Sequence, residues 1–101
     1  MTDAVTYHFS AEKNALLKQQ RGIGFDDIIF LIEGGCLIEI IKNPSKKHPL
    51  QELIIVDVSG YAFVVPFSKK GDDVFLKTIY ASRVMTKKYI RKIGGKNGKK
   101  E

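Results

Sequence analysis

Residues able to handle a phosphate are densest at Tyr80, Ser82, Arg83, Thr86, Lys87 and Lys88. Ser82 is a good helix N-cap, and a capped helix leaves its first free backbone N–H groups pointing outward, where they attract an anion. Arg83 adds a guanidinium that can grip a phosphate through two parallel hydrogen bonds. Thr86 adds a hydroxyl, and Lys87 and Lys88 extend the positive field. Tyr80 supplies a ring on which a base can stack. The structural alternative puts Tyr80 in the core and Arg83 on an ordinary surface. His48 stands in the basic stretch Lys46-Lys47-His48-Pro49. There it is either a proton carrier near neutral pH or a solvated loop residue.

Other chemistries have no pattern to support them. Cys36 is the only cysteine, so it has no internal disulfide partner. Its apolar surroundings suit a buried, inert thiol. No Cys/His spacing suggests zinc. The chain also lacks GxSxG and a P-loop. Gly22-Ile23-Gly24 carries GxG without the strand that a dinucleotide site needs before it, so it reads as a turn. His8, beside Phe9, reads as packing or surface. No cofactor is expected.

The formal charge of +6 is unevenly placed. Residues 1–41 hold three basic and six acidic side chains, whereas residues 42–101 hold fourteen and five. The two parts therefore carry −3 and +9. Such asymmetry marks a surface for nucleic acid or an acidic protein; a solvated basic helix with a disordered tail is the plainer alternative.

The elements that must position these groups follow from periodicity. At 101 residues and 44% hydrophobic, the chain suits one domain, read as 1–93 with a basic disordered tail at 94–101. Residues 5–9 suit a short strand. Ser10 caps a helix over 11–20, and Gly22 and Gly24 end it. Phe25, Ile28, Ile29 and Ile32 recur at i, i+3, i+4 and i+7, marking a second helix. Strands are predicted over 36–41, 52–58, 61–67 and 74–80, with a hairpin at Ser59-Gly60 and a looser one over 68–73. Pro66 is expected near a strand end or at an edge, because it has no N–H to donate. Ser82 caps a final helix over 83–93, and Gly94-Gly95 stops it. The fold class is α+β: two N-terminal helices, an antiparallel sheet of about four strands, and a C-terminal helix. The longest apolar runs fall far short of the roughly 20 residues of a membrane span, and no secretory signal is visible, so a cytoplasmic location with no membrane partner is expected.

Four segments together resemble the BrnT family of bacterial toxins, within the RelE-like ribonuclease toxins. Phe9-Ser10-Ala11-Glu12-Lys13 is similar to that family's opening, in which an aromatic residue precedes a lysine. Gly22-Ile23-Gly24-Phe25-Asp26-Asp27 resembles its Gly-Val-Ser-Phe-Glu-Glu segment. Lys42-Asn43-Pro44 looks like its Asp-Pro turn. Ile79-Tyr80-Ala81-Ser82-Arg83-Val84-Met85-Thr86 resembles its closing Ile-Ile-Ser-Ala-Arg-Arg-Ala-Thr. Gln20-Arg21 stands where the family has Lys-His, and Val84 where it has a second arginine.

The resemblance implies a RelE/BrnT-like fold and a type II toxin that cleaves RNA without metal and blocks translation. It implies a cognate antitoxin that binds DNA, so that operator DNA is met only through the toxin–antitoxin complex. Under this reading Arg83 clamps the scissile phosphate, Lys13 and Arg21 add charge from the N-terminal helices, and Tyr80 stacks on or orients a base. His48 or a lysine carries the proton. Lys77, Thr86, Lys87 and Lys88 hold RNA. The antitoxin is expected to bring an acidic or amphipathic segment to the basic half. Two alternatives stand beside this: a non-catalytic nucleic-acid-binding or regulatory protein of the same fold, and an interaction module for an acidic protein.

Overall fold

The computed structural model describes residues 5–91. Within them the order is β1 (Thr6–His8), α1 (Ala11–Arg21), α2 (Phe25–Glu33), β2 (Leu37–Lys42), β3 (Glu52–Val58), β4 (Tyr61–Lys70), β5 (Asp73–Leu76), β6 (Tyr80–Ala81) and α3 (Arg83–Met85). A π-helical segment, Thr86–Arg91, continues α3. The protein is therefore α+β. The predicted tail at 94–101 and the glycine stop before it lie outside the described residues.

The N-terminal helices form where the capping chemistry places them. Ser10 Oγ accepts the Lys13 N–H at 3.0 Å, and Gly22 ends α1 at φ 75°, a left-handed position that suits glycine. Asn14 then reaches out of α1 to begin α2, its Oδ1 accepting the Phe25 N–H at 2.6 Å. Asp27 completes the start of α2 by accepting the Gly24 N–H at 2.8 Å.

The sheet runs β1-β5-β4-β3-β2, and β6 also pairs with β4. β2, β3, β4 and β5 are antiparallel neighbours, but β1 pairs parallel with β5. The expected antiparallel sheet of about four strands is thus a mixed sheet with six strands among the described residues. The correction comes from β1: the long excursion through both helices and three strands brings β5 beside it, a pairing that local hairpin signals cannot reveal. Ser59 and Gly60 make the expected hairpin, with φ of 53° and 88°. Those values fit the two-residue turn whose twist matches paired strands.

One face of the sheet packs on the helices. Ile54, Val56, Val65, Phe67, Val74 and Leu76 meet Leu17, Ile23, Phe25 and Ile28 there. Leu53, Ile55, Ala62 and Val64 alternate with them in register and are also buried. α3 and the π-helical segment pack against β4.

The last predicted strand, 74–80, is interrupted. Leu76 pairs with Phe67 and Tyr80 with Val64, so four steps along one strand match three along the other. Pro66 lies opposite the extra residue. It sits inside β4, paired with Leu53 of β3 on one side and facing the break between β5 and β6 on the other, instead of near a strand end or at a sheet edge as predicted. A bulge tolerates proline because no ladder bond is required of its nitrogen. Its carbonyl still accepts the Lys77 N–H at 2.9 Å.

The final helix is also altered. Ser82 Oγ accepts the Met85 N–H at 3.1 Å as a cap. α3 lasts only to Met85, and the turn then widens into the π-helical segment. Thr86 explains the change: its hydroxyl donates to the Ser82 carbonyl at 2.7 Å, a bond that competes with regular helix geometry.

Candidate nucleic-acid interface

The extra residue opposite Pro66 decides which side chains meet. In a regular strand Leu76 and Ile79 would point to opposite faces. Here both join the core beneath the helices. Lys77, Thr78 and Tyr80 instead line an open cleft of about 420 Å³. Lys13 of α1 and Asn43, Ser45, His48 and Gln51 of the β2–β3 connection complete its polar wall, with Pro66 also lining it. Four residues predicted from sequence therefore converge: Lys13, His48, Lys77 and Tyr80.

The charge in the cleft is of one sign. Its charges are those of Lys13 and Lys77, and no carboxylate lines it among the described residues. Tyr80 is exposed at 38%, yet partial desolvation raises its pKa above the usual tyrosine value, so the phenol keeps its proton at neutral pH. It can therefore donate a hydrogen bond or offer its ring. Lys77 Nζ lies 5.8 Å from the centre of the Phe75 ring, which supports the side chain beside the cleft.

The loop carrying His48 is held by its own polar groups. Asn43 Oδ1 accepts the Ser45 N–H at 2.9 Å. The Ser45 carbonyl accepts the His48 N–H at 3.2 Å, and the His48 carbonyl accepts the Gln51 N–H at 3.1 Å. Asn43 N–H donates to the Gln51 carbonyl at 3.1 Å and closes the loop base. Asn43 Nδ2 also donates to Gln51 Oε1 at 3.3 Å. Sequence reasoning missed Asn43 and Gln51 as site residues because uncharged amides in a loop carry no periodic or charge signal. The available signal was Asn43 before Pro44 at the start of a connection that must return to β3.

The other predicted residues lie elsewhere. Thr86 is 1% exposed, and its hydroxyl is engaged by the Ala62 N–H and the Ser82 carbonyl. The expectation that it holds RNA is corrected: the hydroxyl closes the end of the sheet. Arg83, Lys87 and Lys88 are exposed on the last helical segment and do not line the cleft. They form no ion pair with the described residues. Arg21 is also separate, at the far end of α1, about 12 Å along the helix from Lys13. His8 belongs to another cluster, stacked on Phe75 at 4.7 Å and bonded to Asp73 at 2.8 Å. Cys36 is half-buried just before β2, where its carbonyl accepts the Asp57 N–H at 2.9 Å.

No family model and no curated protein matches the sequence, and no solved structure matches the fold. Among the described residues no helix is long and apolar enough to cross a membrane.

Proposed function

We propose that this chain is a ribonuclease that cleaves RNA without a metal and acts as the toxin of a type II toxin–antitoxin pair in the cytoplasm. The observation that carries the reading is the convergence of Lys13, Lys77, His48 and Tyr80 in a cleft without a lining carboxylate. The α+β class is shared with a RelE-like arrangement, although the order of helices and strands agrees with it only in part, and the four segments resembling the BrnT family support the same assignment.

The chemistry follows from those groups. An RNA 2′-oxygen attacks the adjacent phosphorus and the bond to the 5′-oxygen breaks, leaving a 2′,3′-cyclic phosphate and a 5′-hydroxyl. His48 takes the proton of the attacking hydroxyl, and a proton returns to the leaving oxygen. Lys13 and Lys77 stabilise charge developing on the phosphoryl oxygens. Tyr80 stacks on a neighbouring base or donates from its protonated phenol. Arg83, Lys87 and Lys88 hold flanking phosphates outside the cleft. The antitoxin meets the basic half and the exposed apolar edge of β2, where Leu37 and Ile40 are accessible, and carries the pair to operator DNA.

A second reading is binding without cleavage. It is favoured by one observation: no side-chain hydrogen bond orients His48 among the described residues. Induced expression followed by analysis of RNA ends separates the two. Growth arrest with new 5′-hydroxyl and cyclic phosphate ends is expected. Purified protein that binds RNA but leaves it intact would establish the second reading instead.

A further inference from the structure

We infer that Gln51, oriented by Asn43, reads a base in the cleft and selects guanine. The inference rests on the RNA reading of this cleft and adds a substrate preference to it. A single backbone group fixes the polarity of both amides. The Ser45 N–H can only donate, so the Asn43 atom 2.9 Å away is its oxygen. The other end of that amide is therefore Nδ2, which donates to Gln51 Oε1 at 3.3 Å. Gln51 is left with its Nε2 amide as the free, donating end.

The cleft that Gln51 lines also holds two groups that can only donate, beside the Ser45, Thr78 and Tyr80 hydroxyls and His48, which can do either. Lys13 and Lys77 carry ammonium groups, and no carboxylate lines the cleft among the described residues. A donor-rich wall favours a base edge made of adjacent acceptors. The guanine edge with N7 and O6 has that pattern. The equivalent adenine edge presents N6–H₂, a donor, beside N7 and would meet another donor. Tyr80 lines the same cleft and supplies a stacking face for the base.

The test uses the full chain and short fluorescein-labelled 2′-O-methyl oligonucleotides, which lack the attacking hydroxyl and report binding alone. Sequences differ at one central base. Guanine and inosine, which share N7 and O6, should bind roughly five- to tenfold more tightly than adenine or 7-deazaguanine. Gln51→Ala should erase that difference while the lysines retain affinity for the backbone. Asn43→Asp is the sharper variant. Its carboxylate still accepts from Ser45 but has no proton for Gln51, so the Gln51 amide turns its donor inward and presents oxygen to the cleft. Preference should then move toward adenine. Equal binding of all central bases, or an unchanged guanine preference in both variants, would overturn the inference and leave the RNA reading standing. Failure to bind any oligonucleotide would overturn the RNA reading and this inference together.

Discussion

The Thr86 hydroxyl accepts the backbone N–H of Ala62 at 2.8 Å, a contact between residues 24 apart in the chain. β6 ends at Ala81, and Ser82 continues the ladder by donating its N–H to the Ala62 carbonyl at 2.9 Å. The threonine then stands in for the missing strand carbonyl. A side chain read as an RNA ligand is thereby committed to closing the sheet.

Thr86→Val should destabilise the protein by about 1–3 kcal/mol, because the buried Ala62 N–H loses its partner while the volume is kept. Thr86→Ser should recover most of that loss. Urea unfolding followed by circular dichroism checks both, and equal stability of the valine variant and the parent would contradict the role.

Gly24→Ala should lower the melting temperature. A Cβ at Gly24 would overlap Asn14 Oδ1 and approach two Lys18 carbons at 2.8 Å. Asn14 must then leave the Phe25 N–H, at the cost of about 1 kcal/mol for a lost cap. Asn14→Ala should remove the same bond, and the double variant should be less destabilised than the sum.

The Lys18–Asp26 pair predicts a small acid-dependent effect. The two charges meet at 2.8 Å on the surface. Hydrogen bonding to Lys18 lowers the Asp26 pKa below its ordinary value. Its contribution is therefore present above the unfolded carboxylate pKa and disappears as pH falls through the lower folded value. Asp26→Asn should differ from the parent slightly at neutral pH and not at all in acid. A difference that grows in acid would reverse the assignment.

Lys77 and His48 should separate binding from chemistry. Lys77→Ala should weaken RNA binding and reduce the slope of log affinity against log salt by about 0.7. His48→Ala should leave affinity unchanged and slow cleavage by roughly 10²–10⁴-fold. Fluorescence anisotropy across a salt series and single-turnover cleavage measure the two effects. A His48 variant that cleaves at the parent rate would remove the histidine from the proposed chemistry.

Much of the local structure is legible without coordinates. Ser10 and the pair Gly22 and Gly24 bound α1, the i, i+3, i+4, i+7 pattern from Phe25 marks α2, and Ser59-Gly60 marks the hairpin. Each signal acts within a few residues, where capping, turn conformation and hydrophobic period operate directly. Residue chemistry likewise nominated His48 and Tyr80, and the family resemblance added Lys13 and Lys77.

Their convergence was not legible, because it depends on pairings across the sheet. The pairing of β1 with β5 joins Thr6 to Asp73, and no local signal encodes so long a closure. The extra residue opposite Pro66 turns Ile79 inward and Tyr80 toward the cleft, against the two-residue period of the sequence. Thr86 was assigned by its place in a basic helix, but the unpaired N–H of Ala62 claims it. The sequence by itself determined the elements and the supply of basic groups through local propensity and charge. Tertiary structure decided which of those groups share a cleft, because backbone hydrogen bonds must be satisfied over the whole sheet and that requirement overrides the local pattern.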